Sequence, residues 1–80
     1  MDDQAILAHI NELVEEEHRL EQGKAGVGLS DNEHTRLEQV EVSLDQCWDL
    51  LRQRRARRRA GQDPDDSSLR PPDTLDRYLQ

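Results

Sequence analysis

The chain contains no phenylalanine, one tryptophan, one tyrosine and one cysteine among 80 residues, and only 32% of it is hydrophobic. So few large side chains allow one small domain at most, in a composition close to that of chains that stay disordered. The single cysteine, Cys47, excludes an internal disulfide and reads as a small core residue on an apolar helix face. No apolar run approaches the roughly 20 residues that a membrane-spanning helix requires. The N-terminus is acidic rather than basic-then-apolar, so no membrane association is expected and the cytoplasm is the expected location. There is also no glycine-rich loop opening on a lysine, and His9, His18 and His34 stand apart from any nucleophile. Neither enzyme activity nor a cofactor is expected.

What the sequence has in quantity is charge, at 36% of residues with a net value of -7. The charge is segregated: Met1 to Leu51 is strongly acidic, Arg52 to Arg59 holds six arginines and no acid, and the remainder is acidic again. General DNA binding is disfavoured by an acidic body. A partner of complementary charge suits the pattern better.

Hydrophobic periodicity predicts two helices. Ile6, Ile10, Leu13, Glu17 and Leu20 follow one another at steps of four, three, four and three, with Leu7 and Val14 widening the stripe. The first helix is expected over 3–22, with Gly23, Gly26 and Gly28 supplying a flexible loop over 23–29. Ser30 followed by Glu33 reads as a capping box opening the second helix. Leu37, Val40, Leu44, Cys47 and Leu51 continue it with Trp48 alongside, and Gly61 and Pro64 end it, giving a helix over 31–60. The tail 61–80, rich in Asp, Pro and Ser, is expected to be mostly flexible, with a short helix possible near 74–79 where Leu75, Tyr78 and Leu79 fall at helical spacing.

A short loop makes the helices antiparallel neighbours, with facing positions adding to about 53. Glu17 then falls opposite Arg36, and the arginine block projects about nine residues past the first helix. The expected fold is an all-α antiparallel hairpin. Its core is too small to be comfortable alone, so it is expected to dimerise into a four-helix bundle. Glu15, Glu16, Glu17 and Glu21 of a second chain would then meet the arginines.

The run Leu44-Asp45-Gln46-Cys47-Trp48-Asp49-Leu50-Leu51-Arg52-Gln53-Arg54-Arg55-Ala56-Arg57, then Ala60-Gly61-Gln62-Asp63-Pro64, resembles a small actinobacterial family of unknown function, domain-of-unknown-function family 2630. Glu15-Glu16-Glu17-His18 and Asp76-Arg77-Tyr78-Leu79 extend the likeness over nearly the whole chain. The resemblance implies a helical cytoplasmic protein of actinobacterial type and assigns no activity, ligand or catalytic residue.

Two motifs compete with bland readings. Glu15 and His18 form the Glu-x-x-His pair of di-iron bundles, but the helical wheel turns both away from the apolar stripe, toward solvent. The arginine block could hold phosphate, most plausibly of RNA, yet no aromatic residues interleave it for base stacking. It could also be a solvated run of cations at a helix C-terminus. Contact with protein is the favoured reading, through Trp48, Leu51, Arg54, Arg55, Arg58, Leu75, Tyr78 and Leu79. The expected partner is a second copy or an acidic protein; RNA binding through Arg52 to Arg59 is the alternative.

Overall fold

The structure is a computed structural model that describes residues 2–72, apart from the side chains of residues 24–27. It contains two long helices packed side by side, α1 (Asp3–Val27) and α2 (Asp31–Arg59), followed by a 3-10 helix at Pro64–Asp66. No strand occurs among the described residues, and the all-α hairpin is the observed architecture.

Each helix end has its own chemical reason. Asp2 caps α1 by accepting from the Ala5 amide at 2.8 Å. The capping box of α2 is formed in both directions: the Glu33 amide donates to Ser30 Oγ at 3.2 Å, and the Ser30 amide donates to Glu33 Oε1 at 3.1 Å. The hydrogen bond from the Ser30 backbone amide, and then hydrogen bonding from the Ser30 side chain, hold the Glu33 carboxyl below its usual range. At the far end of α2 the Gln62 amide reaches Arg57 O at 2.8 Å and the Gly61 amide reaches Arg58 O at 3.2 Å. With Gly61 at φ 75° this is a Schellman motif, the geometry in which glycine ends a helix.

The first helix departs from expectation by continuing through Gly23 and Gly26 to Val27. Glycine inside a helix costs about 1 kcal/mol relative to alanine, an amount that tertiary packing readily overrides. Here Gly23 lies against Leu29 and Glu33, beyond the turn. The glycine that ends α1 is Gly28, whose φ of 79° and ψ of 167° place it in a region open essentially to glycine alone. Helix α1 therefore runs five residues further than expected, and the connection shrinks to three residues, Gly28–Ser30.

The core consists of Ile6, Ile10 and Leu13 from α1 and Val40, Leu44, Cys47 and Leu50 from α2, with Leu20 and Leu51 packed against it. Six of these seven buried residues belong to the expected stripes, and burial raises the Cys47 thiol above its ordinary pKa. Leu50 joins from one side of the α2 stripe. Leu7 and Val14, expected to widen the α1 stripe, are 43% and 45% exposed.

Beyond Gly61 the chain turns back and lies along α2. The Gln53 side-chain amide donates to Ser68 O at 2.7 Å, the Gln46 amide donates to Arg70 O at 3.1 Å, and Arg70 Nε lies 3.4 Å from Asp49 Oδ2. Residues 61–72 are thus a strap over α2, where a flexible tail was expected. Two of these contacts use backbone carbonyls of the strap, which any sequence provides, so composition gave no sign of them. The expected helix near 74–79 lies outside the described residues.

Two glycine substitutions should separate the two conformations. Gly23→Ala places a Cβ at 3.7 Å from Leu29 and 3.8 Å from Glu33, ordinary contact, and should raise stability by about 0.5–1 kcal/mol. Gly28→Ala should lower it by about 1–3 kcal/mol, because alanine cannot occupy that region without strain. Urea denaturation followed by circular dichroism measures both.

Candidate functional site

The arginine block was expected to overhang the hairpin and to wait for another chain's acids; the structure places acids of its own chain there. At this end Asp3 meets Arg54 rather than Leu50. Arg54 Nε donates to Asp3 Oδ1 at 2.5 Å and Arg54 Nη1 to Asp65 Oδ1 at 2.9 Å. Arg58 donates to both Asp3 oxygens, at 3.1 and 2.8 Å. One carboxylate at the first turn of α1 therefore binds two guanidinium groups one turn apart on α2, and Asp65 of the strap closes the cluster.

The electrostatics follow from this geometry. The Arg54 side chain is 8% exposed, and its charge is tolerated because two carboxylates meet it. Hydrogen bonds from Arg58 first, and then Arg54, hold the Asp3 carboxyl at about 2 rather than 3.8. The hydrogen bonds with Asp3 and then Asp65 push Arg54 in the opposite direction, further above its normal value. Arg54 and Arg58 are therefore both paired within the chain. Of the remaining arginines, Arg52, Arg55 and Arg59 are exposed, and Arg57 lies half-buried with Nη1 at 3.4 Å from Gln62 Oε1.

At the other end of the hairpin the expected pairing of Arg36 is displaced by one residue. Arg36 forms a forked contact with Glu16, Nε to Oε2 at 2.8 Å and Nη2 to Oε1 at 2.6 Å. Each partner shifts the other toward its charged form, so Glu16 is lowered and Arg36 raised. Glu17 is half-buried on the stripe, and among the described residues it has no ion pair. Glu15 and His18 are both exposed, as the wheel requires, and His18 Nε2 lies 3.2 Å from the Gln22 amide nitrogen. Among the described residues no group of three or more His, Cys, Asp or Glu gathers in a geometry that could hold a metal.

The hairpin has two unlike sides. Glu16 and Arg36, which touch, each stand one residue before a stripe position (Glu17 and Leu37). Gln46, Leu50 and Gln53, which the strap covers or bonds, also stand one residue before Cys47, Leu51 and Arg54. Residues standing one after a stripe position turn about 100° the other way and share the opposite side. These include Leu7 and Val14 on α1 and Trp48 on α2. Trp48 is 46% exposed.

The eight residues read from the sequence as partner-binding therefore divide. Trp48 and Arg55 are exposed on the side that the strap leaves open. Leu51 packs on the chain's own core, Arg54 and Arg58 are bound by Asp3, and Leu75, Tyr78 and Leu79 lie outside the described residues. Sequence reasoning missed Leu7 and Val14 as surface groups, since periodicity alone cannot separate the edge of a stripe from its centre. It also missed Asp3, Asp49 and Asp65, because acids in an acidic chain carry no mark of the cation they will meet.

The sign of the Asp3 shift fixes a pH dependence. A carboxyl with a lowered folded-state pKa stabilises fully above its ordinary value of 3.8, and that contribution is lost as pH falls toward about 2. Asp3→Asn should therefore lower the melting temperature at pH 7 and leave it little changed at pH 2, where wild type has already lost the interaction. Asp65→Asn should have the smaller effect, because Asp65 is 73% exposed and holds one guanidinium rather than two. Thermal melts of the three proteins between pH 2 and 7 provide the test.

No helix among the described residues is long and apolar enough to cross a membrane. No solved structure matches the chain. Three mycobacterial proteins do, each 47% identical over 77 residues that span 95% of this chain and 88% of the relative. They are the uncharacterized proteins Rv0898c and MT0921.1 of two Mycobacterium tuberculosis strains and Mb0922c of Mycobacterium bovis. A family model described as a protein of unknown function, DUF2630, covers residues 2–80. The actinobacterial likeness of the Leu44–Arg57 run is thus that of a relative, and the chain belongs to this family.

Proposed function

We propose that this protein is a small helical interaction module of the cytoplasm, which works by self-association of its hairpin into a four-helix bundle and by presenting the resulting surface to other proteins as an adaptor. The observation that carries this reading is the exposure of Trp48, at 46%, on the same side of the hairpin as Leu7 and Val14 at 43% and 45%. These three stand on the one side of the hairpin that neither the strap nor the Glu16–Arg36 pair occupies. Tryptophan is the residue type that most often anchors an interface, and a flanking apolar patch excludes water around it.

The chain's own economy of core argues the same way. Seven buried apolar residues among the described residues are few for a freestanding domain, and a second hairpin laid on the open side would bury the flanks of both stripes. Arg52, Arg55 and Arg59 remain as exposed cations for a complementary acidic surface. RNA binding, the alternative use of the block, is weakened by the loss of Arg54 and Arg58 to Asp3 and by the lack of aromatic residues among the arginines.

Light scattering at micromolar concentration should report a mass of at least two chains. Trp48→Ala should weaken that association by about 2 kcal/mol or more, the loss typical of an interface anchor. Because apolar contacts survive moderate salt whereas multiple phosphate contacts do not, association should persist on raising the salt. A folded monomer, or RNA that co-purifies with wild type and is lost in an R52Q/R55Q variant, would replace this reading.

A further inference from the structure

Resting on the self-association proposed above, a more specific geometry can be drawn from one stripe of α2. Glu41, Asp45, Trp48, Arg52 and Arg55 each stand one residue beyond a position of the inward-facing stripe, Val40, Leu44, Cys47, Leu51 and Arg54. They therefore repeat its steps of four, three, four and three, about 100° around the helix, and all five are exposed. Among the described residues, neither these two acids nor these two arginines form an ion pair.

The order along the stripe is acid, acid, tryptophan, arginine, arginine. Glu41 lies seven residues before Trp48 and Arg55 seven after it, about 10 Å to either side at 1.5 Å per residue. Asp45 and Arg52 lie three before and four after. A stripe whose charge reverses about its apolar midpoint is complementary to itself when turned end for end. We propose that two copies pair α2 against α2 in antiparallel sense, with Trp48 on the two-fold axis, Asp45 of each copy meeting Arg52 of the other, and Glu41 meeting Arg55. This is the isologous contact that a two-fold dimer demands, one patch used twice. Parallel alignment would bring arginine against arginine and acid against acid, and like charges in register are repelled.

Leu7 of α1, one residue beyond Ile6 of its own stripe, faces the same side of the hairpin and is 43% exposed. The strap lies on the other side of α2, where Gln46 and Gln53 bond it, and leaves this stripe uncovered. The centre is thus apolar and the charged groups form its two ends, the usual division between interface core and rim.

The experiment is a pair of charge reversals read by analytical ultracentrifugation in low salt. R52E/R55E and E41K/D45K should each weaken self-association by at least about tenfold, because each homodimer then sets like charges together at both ends. An equimolar mixture of the two should associate again to near the wild-type level, since the mixed dimer contains opposite charges at both ends. All four positions are exposed, so helix content by circular dichroism should be unchanged. The neutral R52Q/R55Q should give a smaller loss in the same direction. Recovery in the mixture supports the antiparallel α2 pairing. A wild-type dimer that the reversals leave intact, or that they weaken without recovery on mixing, overturns this pairing while the self-association reading stands. A wild-type monomer at about 100 μM, a concentration at which even a weak dimer of micromolar Kd is well populated, overturns both.

Discussion

The nearly buried guanidinium of Arg54 is the constraint from which the rest of the arrangement follows. A charge taken out of water must be met by opposite charge, and the cost of leaving it unpaired is far larger than the benefit of an exposed pair. Arg54 is met from two directions, by Asp3 at the start of α1 and by Asp65 in the strap. It therefore fixes the axial position of one helix against the other and anchors the returning chain. The apolar stripes bring the helices together without selecting a register so strictly, since apolar contact is non-directional. The ion cluster tolerates no slide.

The opposite pole is determined differently. There the glycine-only conformation of Gly28 and the reciprocal hydrogen bonds of Ser30 and Glu33 set a three-residue turn. The Glu16–Arg36 fork adds an exposed contact of modest value. One end is thus specified by backbone geometry and the other by buried charge, with a thin apolar seam between them. The seam is too narrow to cover both sides of the hairpin: the strap takes one side of α2, and the other is left with Trp48.

Much of this was legible in the sequence, and the reasons for the failures are physical. The two amphipathic stripes, the Ser30–Glu33 box and the stop at Gly61 are local signals, each contained within a few residues, and all appear in the structure. The end of α1 was misplaced because three glycines in six residues offer several stops, and which one serves depends on what Gly23 packs against. The expected register holds to within one residue at the Glu16–Arg36 pair, and what was missed at the other pole is the meeting of Arg54 and Arg58 with Asp3. The strap was invisible because Gln46 and Gln53 bind main-chain carbonyls, which leave no compositional trace. Asp49, buried at 4% exposure on the outer side of α2, looks from the sequence alone like one more solvated acid.

The ion cluster has a further consequence for how the molecule opens. Asp3, Arg54 and Asp65 belong to three segments that are distant in sequence, and their mutual contacts make each segment's order conditional on the other two. Fluctuations that release Asp3 would fray the first turn of α1, return an arginine charge to water and loosen the strap in a single event. The pole with the arginines is therefore a cooperative opening unit in the sense of hydrogen exchange, its amides exchanging together. The turn at Gly28, stabilised by bonds between near neighbours, opens independently of it.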